Sequence, residues 1–456
     1  MAGGGHRDDD GIPALPARLV VFLPPTFLML YRRARVPSAC LPAGLAPAAP
    51  DPLEPWVEVD IGITGDRITG VSAAGGSGDG TDLGGVVVFP GLVDCHTHLD
   101  KTHTWDRAPN PRGEFRDALS VLRADSVRWD EEDIYRRATV ALRSARAHGT
   151  VALRTHLDSG ENTGAASFAV MDRLREEWAG RITLQTVALC GLQAFAGGAS
   201  KAVMGLAARH HASALGGFPQ PDPDLPSQLD YLMAAARELG IGLDLHVDES
   251  GLAHAECLRA TAEAVLRNAF PHPVACGHNC SLAAQDPARA ASTLALVREA
   301  GIRLISLPLC NLYLQGRRYS GEGAEAAPAT PRWRGVTLIH EALAQGSPVA
   351  CASDNVRDAF YAWGDYDLLE VLRESIRIAH LDTRMEQAAA LVSTAPADIM
   401  GLPDHGRVAP GARAVLVVTE APGINALLSR PTGRRRLILG EALVNPELPG
   451  IPRFST

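Results

Sequence analysis

The feature that most constrains the fold is a long alternation of short apolar segments with amphipathic helical segments, repeated eight times within residues 86–404. A strand followed by a helix, many times over, is typical of a parallel sheet with helical crossovers. Eight such units match a TIM barrel that has an insertion after its first strand. The sequence therefore predicts an α/β protein built on a (β/α)8 barrel, with a doubly wound sheet as the alternative.

The predicted strands are apolar runs bounded by turn residues or by helical segments. They lie at 86–95, 151–155, 182–189, 212–218, 242–246, 274–277, 303–307 and 349–352. Helical periodicity is strongest at 131–147, 226–239, 252–268, 287–300 and 367–379. These elements define the predicted barrel.

Both ends of the chain follow a different pattern. Apolar and polar residues alternate at 57–72 around Gly65 and Asp66, and again at 414–418 and 436–443, as in antiparallel hairpins. We therefore predict three parts: an N-terminal extension at 1–29, a small β-sandwich domain from 30–85 and 405–456, and the barrel at 86–404. For the extension, an early strand, a disordered segment and an overlong start with Met29 as the initiator all stay open.

Composition excludes several classes of partner. The chain has 52 acidic and 43 basic residues, a net charge of -9, and no basic stripe interleaved with aromatic residues, so we expect no nucleic-acid binding. The early apolar run is broken by Pro24 and Pro25, which argues against a membrane span or signal peptide. Eight cysteines without C-x-x-C pairs indicate reduced, buried thiols. We expect a cytoplasmic protein with a neutral or cationic small-molecule partner.

Polar residues fall at the carboxyl ends of five of the predicted strands, the end where barrels carry their sites. His96 and His98 are two apart on the first strand, so their side chains point to the same side. His246 ends the fifth strand, His278 ends the sixth, and Asp354 follows the eighth. Together these residues can enclose one ion.

Three imidazoles and a carboxylate suit zinc or iron(II) better than calcium or magnesium. Such an ion lowers the pKa of bound water from about 15.7 towards 7 and so favours hydrolysis. Glu249, three residues beyond His246, is placed to carry a proton between that water and the substrate. His278 is either a fifth ligand or the residue that orients the hydroxide.

Other polar residues have simpler interpretations. For His156, a satisfied strand-end histidine is at least as good a reading as a catalytic one. We expect solvated or structural carboxylates, and histidines away from the barrel mouth, at Asp100, Asp158, Asp248, His210, His211 and His272. His254-Ala255-Glu256 matches half of a zinc deaminase motif of another fold, but no P-C-x-x-C follows. We place those three residues on a helix.

Four segments carry a family resemblance that covers nearly the whole chain from about Leu30. Residues 90–100, Pro-Gly-Leu-Val-Asp-Cys-His-Thr-His-Leu-Asp, resemble the opening motif of the amidohydrolase superfamily. Residues 246–249 resemble the H-x-x-E motif of its cytosine deaminase branch, 311–317 that branch's loop after strand seven, and 354–358 its strand-eight signature. No lysine ends the fourth strand, which in this superfamily implies a mononuclear site.

The resemblance implies a role for each site residue. The implied metal ligands are His96, His98, His246 and Asp354. Glu249 would shuttle protons to a ring nitrogen, and His278 with Asp354 would activate the water. The implied reaction is attack of metal-bound hydroxide on an amidine-like ring carbon with loss of ammonia, and cytosine, in pyrimidine metabolism, is the reference substrate.

Three positions depart from the cytosine deaminase pattern and bear on the substrate. Asn355 replaces a second aspartate, and Phe360 replaces a tryptophan. The substrate-binding glutamine aligns with about Gly191, but Gln193 lies two residues on. We predict substrate contacts at Gln193, Asn355 and Phe360. An Asp-Asn pair with Lys101 also occurs in enzymes that remove alkylamines from hydroxylated triazines.

Three functions are therefore open. The favoured one is deamination of cytosine or a similar amino-substituted nitrogen heterocycle by an enzyme with one divalent ion, zinc or iron(II). Alkylamine removal from a triazine, or ring opening of a cyclic amide, is the alternative on the same scaffold. A catalytically inactive barrel that serves as a binding module is the alternative from another class. Acidic barrels of this type commonly assemble, so we expect a homo-oligomer.

Overall fold

The computed structural model describes residues 1, 29–46, 51, 54–76, 78–160, 163–197, 200–320 and 327–454. The predicted N-terminal extension lies outside these residues, apart from Met1 and Met29. Among the described helices, none has both the length and the apolar composition needed to cross a membrane. The eight cysteines are all free thiols, and all except the partly buried Cys190 are buried.

The residues before the barrel form a four-stranded sheet in the order β3-β2-β1-β4. Its strands are β1 (Met29–Pro37), β2 (Trp56–Thr64), β3 (Arg67–Ala73) and β4 (Thr81–Asp82). The predicted turn joins β2 to β3, and Gly65 supplies its left-handed conformation with φ 61°. Val59, Ile61 and Ile63 alternate along β2 and are fully buried, as the period of a strand requires.

The predicted first barrel strand, residues 86–95, is in fact two strands. β5 (Val88–Pro90) pairs outside the barrel, and only β6 (Leu92–Thr97) belongs to it. The chain changes sheets at Gly91, whose N–H donates to Val415 O at 2.7 Å. A continuous apolar run does not reveal such a change, because the side chains of both strands are buried.

Eight parallel strands form the barrel in sequence order, which confirms the predicted architecture. The barrel strands are β6, β7 (Thr150–Asp158), β8 (Thr183–Cys190), β9 (Ala214–Gly217), β10 (Gly242–Val247), β11 (Val274–His278), β12 (Arg303–Ser306) and, after the hairpin β13 (Arg318–Ser320) and β14 (Ala327–Ala329), β15 (Val349–Cys351). Beyond β15, the N–H of Asp354 donates to His96 O at 2.9 Å and joins the last strand to the first.

Helices follow the barrel strands, and the last helix belongs to the C-terminal part of the small β domain. They are α1 (Phe115–Asp125), α2 (Glu131–Ala147), α3 (Gly164–Glu177), α4 (Ser200–Arg209), α5 (Leu225–Leu239), α6 (Cys257–Arg267), α7 (Pro287–Glu299), α8 (Pro308–Leu314), α9 (Ile339–Ala344), α10 (Leu368–Ala379), α11 (Met385–Ala388), α12 (Thr394–Ile399) and α13 (Ile424–Ser429). The α2 helix has the predicted bounds, because the Asp130 carboxylate accepts from Asp133 N at its start.

One predicted helix begins later than expected. The Asp248 carboxylate accepts from Cys257 N at 3.0 Å and from Leu258 N at 2.9 Å, so α6 starts at Cys257 rather than at residue 252. The placement of His254-Ala255-Glu256 on a helix is therefore wrong, since these residues lie in the turn before it. The prediction that Asp248 is structural is confirmed, because its carboxylate caps this helix.

The C-terminal residues complete a second four-stranded sheet, in the order β18-β17-β16-β5. Its later strands are β16 (Val415–Thr419), β17 (Arg435–Leu439) and β18 (Ala442–Val444). The two sheets touch where Arg35 N donates to Val86 O at 3.0 Å. Both ends of the chain thus supply the small β domain, and its boundaries at 85/86 and 404/405 stay predictions.

Candidate active site

The carboxyl ends of four barrel strands bring five histidines into one buried cluster. His96 lies on β6 and His98 directly follows it, whereas His156 lies on β7, His246 on β10 and His278 on β11. The ring centroid of His246 lies 4.6 Å from that of His96, 5.2 Å from that of His98 and 5.0 Å from that of His278. The histidines that the sequence placed at the mouth are therefore in mutual contact.

The candidate ligand atoms of His96, His98 and Asp354 lie within 4.8 Å of one another, and His246 joins this group through His98. Asp354 Oδ1 lies 3.3 Å from His98 Nε2 and 3.6 Å from His96 Nε2, and His98 Nε2 lies 3.2 Å from His246 Nε2. Both ring nitrogens of His96 and both carboxylate oxygens of Asp354 are buried without a hydrogen-bond partner. Buried polar atoms are normally paired, so the donor set fits a cation.

The protonation state of the clustered histidines also favours a bound cation. Burial first, and then the charges of neighbouring side chains, lower the pKa of His96, His98 and His246 well below the usual value. Neutral imidazoles present lone pairs, which is the form that binds a metal. Asp354 and His278 also adopt left-handed backbone conformations, with φ 61° and 68°. Such strain in L residues clusters at functional sites.

Glu249 and His278 share one hydrogen-bond donor, Asn311. Its Nδ2 lies 3.0 Å from His278 Nδ1 and 3.3 Å from Glu249 Oε1, and an amide NH₂ has a hydrogen for each. If His278 Nδ1 accepts, the proton of the neutral ring sits on Nε2. Burial, and then the charge of Asp354, raise the pKa of Glu249 well above its usual range. Burial lowers the pKa of His278 to about 3.

The structure adds a second polar group, of which sequence reasoning had considered only His156. His156 Nε2 lies 3.2 Å from Asp244 Oδ1, and Arg154 Nη1 donates to Asp244 Oδ2 at 2.8 Å. The His156 ring is 4.0 Å from the His96 ring, centroid to centroid. The predicted second strand ended at residue 155, whereas β7 continues to Asp158, so Arg154, His156 and Asp158 share one face. The alternation of polar residues at 154, 156 and 158 was the signal in the sequence that could have revealed this group.

Lys101 is buried between two carboxylates and one of the clustered histidines. Its Nζ lies 3.0 Å from Asp158 Oδ1, 3.6 Å from Asp100 Oδ1 and 3.4 Å from His98 Nδ1. Burial favours the neutral amine, but the two carboxylates outweigh it and raise the pKa of Lys101 above its usual value. Asp100 and Asp158 thus hold Lys101 in place, and Asp158 also lines the cavity above the cluster.

A cavity of about 680 Å³ opens onto this cluster. His98, His246 and Glu249 line its polar end. Its walls carry four aromatic side chains: Phe115, Trp129, Phe218 and Phe360. Two of the three predicted substrate contacts, Asn355 and Phe360, line the cavity.

The third predicted substrate contact, Gln193, does not line the cavity. Beyond Gly191 the chain turns into a short 3-10 helix, Leu192–Ala196, and Gln193 is exposed on it. Gln220, which follows β9, lines the cavity instead. Its position just past a strand end was a signal that sequence reasoning passed over.

Comparison with known proteins agrees with this architecture. The model of an amidohydrolase family, Amidohydro_3, matches residues 120–443. The pterin deaminase of Rhizobium rhizogenes is 45% identical over 376 residues, which cover 82% of this chain and 84% of that protein.

Two solved structures have the same fold. That of 5-methylcytosine deaminase from Klebsiella pneumoniae, liganded with 5-fluorocytosine, has a TM-score of 0.75 at 23% identity, covering 93% of this chain and 99% of that one. That of N-isopropylammelide isopropylaminohydrolase from Burkholderia multivorans has a TM-score of 0.70 at 24% identity, covering 92% and 99%. The family model, the pterin deaminase relative and the shared barrel lead to one conclusion: this chain belongs to the amidohydrolase family.

Proposed function

We propose that this chain is a metal-dependent aminohydrolase that deaminates a pterin or a similar amino-substituted nitrogen heterocycle and releases ammonia. The observation that carries the proposal is the buried convergence of His96, His98, His246 and Asp354, with unpartnered polar atoms, at the end of an aromatic-lined cavity. The similarity of the chain to a pterin deaminase supports a pterin as the substrate.

The size and the lining of the cavity accommodate a pterin. At about 680 Å³ it has room for a two-ring substrate as well as for a pyrimidine. Flat aromatic walls, such as those of Phe115 and Phe360, favour planar rings through stacking and edge contacts. Gln220 and Asn355 are the amides of the lining that could read the ring edge. The cavity admits both rings, so the preference for a pterin over cytosine rests on the similarity to the pterin deaminase.

One divalent ion, zinc or iron(II), is held in this proposal by His96, His98, His246 and Asp354, and it supplies a Lewis acid that lowers the pKa of water. Glu249 carries the proton to the ring nitrogen, because burial and the charge of Asp354 raise its pKa well above the usual range and so favour the protonated carboxyl. Asn311 holds His278 through its Nδ1, which leaves His278 Nε2 buried and without a hydrogen-bond partner in the cluster. The aromatic walls limit the access of bulk water.

A second candidate is removal of an alkylamine from a hydroxylated triazine. Lys101 and Asn355, which the sequence associates with that activity, both line the cavity. Asn355 Nδ2 donates to Asp358 Oδ2 at 2.7 Å and its Oδ1 accepts from Cys310 Sγ at 3.8 Å, so one lone pair of the oxygen is left for a substrate. The leaving group would then be an amine rather than ammonia.

A substrate panel tests the proposal. Metal-loaded protein is incubated with pterin, cytosine and N-isopropylammelide, and ammonia and isopropylamine are measured separately, with Glu249→Gln as the control. Ammonia from pterin supports the proposal, and isopropylamine from the triazine supports the second candidate. No amine from any of the three rings would contradict both.

A further inference from the structure

A second cavity, of about 360 Å³, lies at the opposite end of the barrel from the candidate active site. Arg143 and Arg146 stand in the last turns of α2, which leads into β7, and Trp178 ends α3, which leads into β8. The cavity is therefore at the amino ends of these strands. Its other wall comes from β17, β18 and the segment that follows them.

The charges in this cavity are unbalanced. Arg143, Arg146 and Arg181 line it, and among the described residues none of the three forms an ion pair. Arg146 Nη1 is shielded from solvent and has no hydrogen-bond partner. Glu447 is the one acidic residue in the lining, and no described ion pair joins it to an arginine.

The surroundings of Arg146 make this imbalance costly. Burial, and then the positive charges of Arg413 and Arg181, lower the pKa of Arg146 to about 10. A shielded cation without a partner destabilises a fold unless a counter-charge neutralises it. The negative end of the α2 dipole favours an arginine at this position, but it provides no acceptor for Nη1. An anion in the cavity would offset this positive charge through the exposed guanidinium groups of Arg143 and Arg181.

We propose that this cavity binds a phosphate group, either as free phosphate or as an organic phosphate ester. Guanidinium groups match the geometry of phosphate oxygens and form charge-assisted hydrogen bonds with them. The Arg181 guanidinium lies 4.2 Å from the centre of the Trp178 ring, which holds it in place beside the cavity. Leu437, Val444 and Leu448 give an apolar wall that suits the organic part of an ester.

Calorimetric titration of the full chain, loaded with metal and in a phosphate-free buffer, tests the proposal with inorganic phosphate and phenyl phosphate as probes. We expect saturable binding of at least one probe. Arg146→Met and Arg181→Met should each weaken it by about 10- to 100-fold, the usual effect of losing a charged hydrogen-bond partner. Arg181 is exposed, so its replacement leaves the core intact.

The control is Arg209→Met, which removes an exposed arginine at the end of α4 that does not line this cavity, and it should leave binding unchanged. Tighter binding of phenyl phosphate supports an ester as the ligand, and equal binding supports free phosphate. No saturable binding, or binding that survives both cavity variants, would overturn the proposal. Because the readout is binding at a remote cavity, its failure leaves the proposed deaminase activity untouched.

Discussion

His98 and His246 face each other with their Nε2 atoms 3.2 Å apart, although β6, which His98 directly follows, and β10, which carries His246, are not neighbours in the barrel. The pKa of each ring lies well below its usual value, so both are neutral. Two lone pairs at this distance repel unless a proton or a cation lies between them. The proposed ion resolves that repulsion.

Removing one side of this contact should empty the site. In His246→Ala the ion loses a ligand, so we expect metal content to fall below about a tenth of wild type and turnover to fall by more than about 100-fold. Metal analysis and the ammonia assay measure both. His210→Ala is the control, because His210 pairs with Asp172 away from the cavity. Full metal content in His246→Ala would remove His246 from the ligand set.

Glu249→Gln keeps the shape of the side chain but cannot give up a proton. We expect turnover to fall by about 10²- to 10⁴-fold, the usual contribution of a general acid or base. Metal content should stay at the wild-type level, which separates proton transfer from binding. Wild-type turnover in this variant would assign the proton transfer to another group.

Asn311 is proposed as a positioning residue that acts through His278 and Glu249. Asn311→Ala removes both amide hydrogen bonds, so His278 loses the donor to its Nδ1. We expect turnover to fall by about 10- to 100-fold with metal retained. The pH profile should shift as well, since the tautomer of His278 is no longer fixed. A fall in stability with an unchanged profile would instead indicate a purely structural role.

Arg107 holds the wall of the cavity in place. Its guanidinium binds Asp125 and Asp133 with contacts of 2.6 to 3.2 Å, and Trp129 Nε1 donates to Asp125 as well. Arg107→Met leaves the buried Asp125 without a cationic partner, whereas Asp133 keeps its ion pair with Arg137, so we expect a loss of about 3 kcal/mol in the free energy of unfolding. Denaturant titration measures it. The exposed pair of Arg112 with Glu114 is the control, and Arg112→Met should cost less than about 1 kcal/mol.

His103 should make stability depend on pH. Burial first, then Arg357 and Arg137, opposed by Asp365, lower its pKa from 6.5 to about 4, and neither ring nitrogen has a hydrogen-bond partner. Between pH 4 and 6.5, His103 therefore binds a proton in the unfolded chain but not in the folded one. The free energy of unfolding thus falls as the pH drops from 6.5 to 4.

His103→Asn removes this titration. The difference in unfolding free energy between wild type and variant should change by up to about 3 kcal/mol across that window and stay flat above pH 7. A difference that is constant from pH 4 to 8 would show that His103 does not titrate on unfolding.

Much of the architecture follows from local pattern. The barrel strands and α2 were predictable because each has its own periodicity or cap, and His96, His98, His246, His278 and Asp354 were predictable because strand ends meet at one face. The division of residues 86–95 between two sheets was not, since pairing partners far along the chain decide it.

The errors at the site also have local causes. Gln193 was predicted to line the cavity in place of Gln220 because apolar periodicity does not describe the path of the loop after β8. His156 was left undecided because its strand was predicted three residues too short. Both errors concern loop and strand-end geometry at the mouth.

The central claim is that a single divalent ion at this cluster drives deamination. Stripping the metal and then adding zinc or iron(II) back in steps, while measuring bound metal and ammonia released from pterin, tests it most directly. The account predicts no turnover in the stripped protein and activity that rises in proportion to bound metal, reaching its plateau at one ion per chain. Full activity without metal, or a plateau only at two ions per chain, would contradict it.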